Sequence, residues 1–142
     1  MIIVYRPDDD GEEQHFDMRS VRTSEAQIVE RTTDMKWGEI KLGVRDDEPT
    51  ALRGIVWVLM KRGQPSLRWS EFDPPVDSLT SRFDAREVAS YAAEIVKLPE
   101  GQRAQAVAEL KAYALDEALV EGALKDAAEP PKETVETSAA SG

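Results

Sequence analysis

A chain of 142 residues with 41% apolar side chains can bury a modest core, which is enough for one ordinary domain plus extras. It has no cysteine and a single histidine, which excludes disulfide frameworks, thiolate metal sites and histidine clusters. Twenty-eight acidic against 18 basic residues give a net charge of -10, which leaves no global basic stripe for nucleic acid.

Ile2 to Tyr5 and Gln14 to Met18 are short strand-like runs joined by Arg6, Pro7, Asp8, Asp9, Asp10 and Gly11, a turn-rich connection, so a β-hairpin is expected. An isolated hairpin is marginal in water, and its apolar face must lie on the helices that follow. The apolar run at the N-terminus is too short for a signal segment or a membrane span, and the expectation is a soluble cytosolic protein. Ser24 with Gln27 has the form of a capping box for a helix carrying Ile28 and Val29 and stopping near Thr32 or Thr33. Asp34 is the expected cap of a second short helix, with Trp37, Ile40 and Val44 on one face and Gly38 and Gly43 weakening it.

The strongest helix signal follows. Asp47 and Glu48 lead into Pro49, then Leu52, Ile55, Val56, Leu59 and Met60 recur at helical spacing, and Lys61, Arg62 and Gly63 end the element. Gln64 to Phe83 has no sustained period and reads as a loop that tucks Trp69 and Phe72 onto the core. Asp84 with Glu87 opens another helix with Val88, Tyr91, Ala92, Ile95 and Leu98 on one face, closed by Pro99. From Gly101 to about Ala128 an alanine-rich stretch predicts one long helix whose apolar face, Val107, Leu110, Ala114 and Ala118, is mostly small. Glu129 to Gly142 contains too little apolar surface to offset ordering entropy, so disorder is expected. The last third, from Pro99, carries nine acidic and four basic residues, half of the net charge. The expected architecture is therefore α+β and mainly helical. It comprises a 1–83 core of hairpin on helices, an 84–128 helical extension and a 129–142 disordered acidic tail.

The eight glycines are scattered, with neither dinucleotide nor P-loop spacing. A calcium loop at Asp8 to Gly11 fails because its alternation would place the first ligand at Arg6 and the closing glutamate at Asp17. His15 alone specifies no catalytic constellation, and no arrangement of carboxylates does either. The expectation is no catalysis, no cofactor and no metal. Trp57 lies off the Leu52 to Met60 stripe, between Arg53 and Lys61, and is either covered by a neighbouring helix or a partner anchor. Trp69 and Phe72 divide in the same way.

The run Trp37, Glu39, Ile40, then Asp46, Asp47, Glu48, then Ala51, Leu52, Ile55, Val56, Trp57, Lys61, Arg62, Gly63, and finally Trp69, Glu71, Phe72, Asp73 resembles the tail assembly chaperone family of long-tailed, siphovirus-type bacteriophages. The likeness covers roughly residues 1 to 83 and rests on the order and spacing of degenerate patterns. It implies a mixed fold that binds the helical tape measure protein and keeps it soluble in the host bacterial cytoplasm while the tail tube polymerises. It also implies absence from the mature virion, with neither activity nor cofactor. Trp37, Arg53, Trp57, Lys61, Trp69 and Phe72 are the candidate partner-binding residues, with Trp57 as the expected exposed anchor. The tail tube protein and a second copy of the chain are further candidate partners; nucleic acid and membrane are not. The family further implies ribosomal frameshifting to a longer form, and Pro131 followed by Lys132 permits a slippery site there. Competing readings are a structural tail or connector subunit retained in the virion, a regulatory binder of a host protein, and an enzyme with a carboxylate-only site.

Overall fold

The computed structural model describes residues 1–8 and 11–129. The expected disorder of the acidic tail therefore lies outside the described residues, except that Glu129 closes the last helix, and so do Pro131 and Lys132. The fold is α+β and mainly helical, with six helices and one three-stranded antiparallel sheet among the described residues. The chain divides into two compact units, Met1–Phe83 and one beginning at Asp84.

In the first unit β1 (Ile2–Tyr5) and β2 (Gln14–Asp17) form the expected hairpin, with Ile2 opposite Asp17 and Tyr5 opposite Gln14. A third strand, β3 (Leu79–Arg82), lies on the other side of β1, with Tyr5 opposite Leu79, giving the order β2-β1-β3. This corrects the reading of Gln64 to Phe83 as loop throughout. Thr80, Ser81 and Arg82 carry no apolar alternation, because Ser81, although buried, is satisfied by a carboxylate. Asp47 accepts from the Ser81 backbone N–H at 2.8 Å and from its hydroxyl at 2.6 Å. The same carboxylate accepts from the Thr80 hydroxyl at 3.2 Å. Asp47 reaches them from a left-handed backbone, φ 56°, a conformation that aspartate tolerates better than most residues.

Helix α1 (Thr23–Thr33) ends where expected, but its opening pair is Arg22 and Glu25, whose carboxylate accepts the Arg22 N–H at 2.8 Å, not Ser24 and Gln27. Asp34 does not cap the next helix; it adopts φ 58° and closes α1 by donating its N–H to the Glu30 carbonyl. Helix α2 (Trp37–Arg45) starts after Lys36, where Glu39 accepts the Lys36 N–H at 3.0 Å. Helix α3 (Pro49–Met60) has proline at its first turn, and Glu48 accepts the N–H groups of Thr50 and Ala51. Apart from Arg53, its residues from Ala51 to Leu59 are buried, so α3 is apolar on every side and serves as the axis of the unit. The sheet, α1 and α2 all pack on it.

The two glycines in this packing explain themselves by distance. A Cβ at Gly54 would stand 2.8 Å from Cγ1 of Val29 on α1, and one at Gly43 would stand 2.8 Å from Cβ of Ala51. Small residues here let α1 and α2 approach α3. Gly38, with nothing within 4 Å of a Cβ, has no such reason.

In the second unit α4 (Ala85–Ile95) begins with the expected reciprocal pair: Asp84 accepts the Glu87 N–H and Glu87 accepts the Asp84 N–H, both at 2.9 Å. It ends at Ile95, before Leu98, and Pro99 precedes the next helix. The expected long helix is two, α5 (Glu100–Tyr113) and α6 (Glu117–Ala128). Ala114 leaves the helical conformation at ψ 150°, and Asp116 starts α6 by accepting the Ala118 N–H at 2.8 Å. High alanine content raises propensity everywhere and marks no boundary; the Asp116 cap is the signal that does. Helices α4, α5 and α6 pack pairwise on one another, and their buried residues are Val88, Ala92, Ile95, Leu110 and Val120.

Candidate functional site

Five of the six expected partner-binding residues converge. Arg53, Trp57 and Lys61 stand one helical turn apart on one face of α3 and its C-cap, and the segment after the helix folds back over them. Arg53 donates from Nε to the Phe72 carbonyl at 2.6 Å and from a terminal nitrogen to the Trp69 carbonyl at 2.8 Å, with its guanidinium 3.7 Å from the Trp69 ring centroid. Trp57 donates its indole N–H to the Leu67 carbonyl at 3.1 Å and meets Trp69 edge to face, centroids 5.3 Å apart. Lys61 donates to the carbonyls of Pro65 and Leu67 at 3.0 and 3.2 Å and lies 5.2 Å from the Trp57 ring. Phe72 is buried against Tyr5, edge to face at 5.4 Å, and burial raises the Tyr5 phenol above its ordinary value.

This arrangement is a latch. Cations that could receive a partner's acids instead satisfy backbone carbonyls of a segment with little secondary structure of its own. Trp57, at 5% exposure, is covered, and the expectation of an exposed anchor there is corrected. A second fastening lies nearby in sequence: Arg62 donates to both Glu25 carboxylate oxygens at 2.7 and 2.8 Å and to the Ser20 carbonyl at 2.7 Å. The Arg62 side chain holds the Glu25 carboxyl below its ordinary value.

Trp37 stands apart from the latch. It opens α2, its backbone N–H donating to the Glu30 carboxylate at 2.9 Å, and its half-buried ring lines a cleft of about 420 Å³. Met1, Met18 and Val21 share the lining, and Arg19, Lys41 and Arg45 stand around it, all three exposed. None of these three side chains has a hydrogen bond or ion pair among the described residues. The sequence reading named Trp37 but missed its companions, because Met18 and Arg19 follow β2 whereas Lys41 and Arg45 sit one and two turns along α2. The signal available was the spacing of Trp37, Lys41 and Arg45 at i, i+4 and i+8.

Comparison with known protein families, curated proteins and solved structures finds no match. The site is therefore read from its own chemistry. Methionines and a tryptophan make an adaptable apolar surface, with three exposed cations beside it. Among the described residues no group of histidine, aspartate and glutamate side chains could hold a metal ion. No helix there is long and apolar enough to cross a membrane.

Proposed function

We propose that the chain is a phage tail assembly chaperone that binds amphipathic helical segments of the tape measure protein. The observation that carries this reading from the structural side is the Trp37 cleft, an apolar surface beside three cations that have no side-chain partner among the described residues, on a chain with strong acidic excess. A soluble coat for a long apolar helix needs contacts of that kind together with net charge of one sign to keep the coated assembly apart. The sequence pattern across residues 1 to 83 supports the same reading.

On this account the protein acts by binding alone, without catalysis or cofactor, in the cytoplasm of an infected bacterium, and leaves before the particle is complete. A longer form made by backward ribosomal slippage near Pro131 and Lys132 would tether a further domain after α6. Binding need not be tight at one place. Several copies along a tape measure helix gain from effective concentration, so weak individual contacts suffice.

Co-expression is the test. A tape measure protein that is insoluble alone is expected to move to the soluble fraction with this chain and to co-purify with it. If it stays equally insoluble with and without the chain, the chaperone reading fails. Recovery of the chain in purified particles instead would favour a structural tail subunit.

A further inference from the structure

The segment Asp73-Pro74-Pro75-Val76-Asp77 is the chemical complement of the Trp37 cleft. Its tip is apolar and rigid: Pro74 and Pro75 restrict the backbone, and Val76 is 64% exposed, the most exposed large hydrophobic residue among the described residues. Acids flank the tip on both sides, and neither Asp73 nor Asp77 has a hydrogen bond or ion pair among the described residues. The other charges beside the segment are already engaged: Arg53 with the Phe72 and Trp69 carbonyls, and Asp47 with Thr80 and Ser81. The chain thus carries an apolar tip between two acids and, elsewhere, an apolar cleft among three cations, and none of these five side chains has a partner among the described residues.

The fold keeps the two apart. The segment leads into β3, one edge of the sheet, whereas the cleft lies where the chain leaves β2, the other edge. The exposure of Val76 shows that the tip does not fill its own molecule's cleft.

We infer that the Trp37 cleft receives the Asp73–Asp77 segment of a second copy of the chain, so that copies associate head to tail. Such a contact is heterologous: each copy uses one surface to give and a different one to receive, so association continues until it closes into a ring or runs on as a filament. Each contact is small and therefore weak, and the charges at its rim make it sensitive to salt. This inference does not depend on the tape measure reading. If both hold, a tape measure segment and a neighbouring copy compete for one cleft.

Sedimentation velocity on the full chain tests it, with two neutralised variants. One carries Asp73→Asn, Val76→Ser and Asp77→Asn; the other carries Arg19→Gln, Lys41→Gln and Arg45→Gln. Wild type should sediment faster as concentration rises toward about 1 mM, the range of weak contacts. Raising salt from about 50 mM to about 500 mM should weaken association by roughly tenfold, because the Debye length shrinks several-fold. Each variant alone should remain monomeric, and an equal mixture should give dimers and nothing larger, since each partner lacks the other half of the contact. Wild type that stays monomeric throughout overturns the inference. So do variants that associate like wild type, and so does a mixture that yields only monomers or species beyond dimers. Far-UV circular dichroism checks folding; if a triple variant misfolds, Val76→Ser and Lys41→Gln replace it with the same expected pattern, weakened association alone and recovery on mixing.

Discussion

Trp57→Ala separates a fold residue from a binding residue by where its cost appears. The side chain is 5% exposed, and its removal takes away a large buried aromatic, for which the usual loss is about 3 to 5 kcal/mol. The edge-to-face contact with Trp69 contributes about 0.5 to 1.5 kcal/mol of this, and the indole hydrogen bond about 1 kcal/mol. The Leu67 carbonyl stays satisfied, because Lys61 also donates to it at 3.2 Å, so no orphaned acceptor adds to the total. Trp57→Phe keeps most of the ring and loses the N–H, and should cost about 1 kcal/mol, close to the hydrogen bond alone. Urea unfolding followed by far-UV circular dichroism is the assay, since the other two tryptophans would confuse fluorescence. A loss below about 0.5 kcal/mol for Trp57→Ala, the range of surface substitutions, would refute the latch and restore Trp57 as an exposed anchor.

Leu59→Ala, near the C-terminal end of the α3 stripe and 7% exposed, should cost about 2 to 5 kcal/mol in the same assay; a loss below about 0.5 kcal/mol would show that the stripe is not the core. Gly43→Ala and Gly38→Ala should move in opposite directions. The first gains helix propensity but drives a Cβ to 2.8 Å from Ala51, an overpacking cost of about 1 to 3 kcal/mol, whereas the second meets nothing and gains up to about 1 kcal/mol. Equal melting shifts would contradict the close approach of α2 and α3. Glu25 has a folded pKa below its ordinary 4.5, chiefly through the Arg62 hydrogen bonds. Its contribution to stability is present above 4.5 and is lost as pH falls through the lower folded value. Glu25→Gln should therefore destabilise at neutral pH, with the difference from wild type vanishing in acid; a difference independent of pH would reject the pairing.

Elements governed by short-range chemistry were legible from the residues. The β1–β2 hairpin follows from two strand-like runs around a turn-rich connection, α3 from Glu48, Pro49 and the Leu52 to Met60 spacing, and the start of α4 from Asp84 and Glu87. What escaped depends on partners distant in sequence. Strand β3 is polar because Asp47, some 34 positions earlier, satisfies Ser81, and no period within Leu79–Arg82 shows that. Asp34 has the composition of an N-cap and serves as a C-cap, since the same short side chain suits both places. At the site, residue identity was informative and role was not. Arg53, Trp57, Lys61, Trp69 and Phe72 do come together, but around carbonyls of residues 65 to 72, and backbone acceptors leave no mark in a sequence. The Trp37 cleft needed the end of β2 to be laid beside α2 before its cations became neighbours.

The reading of the Trp37 cleft as the tape measure site is tested most directly by the three indole N–H signals of the tryptophans at positions 37, 57 and 69. A soluble helical segment of the tape measure protein is titrated into dilute, isotope-labelled chain, with each signal assigned by substitution to phenylalanine. The account predicts that the Trp37 signal shifts and saturates while the Trp57 signal, held on the Leu67 carbonyl beneath the latch, stays in place. Shifts at Trp57 or Trp69 with Trp37 unmoved, or no shift at any of the three, would contradict it.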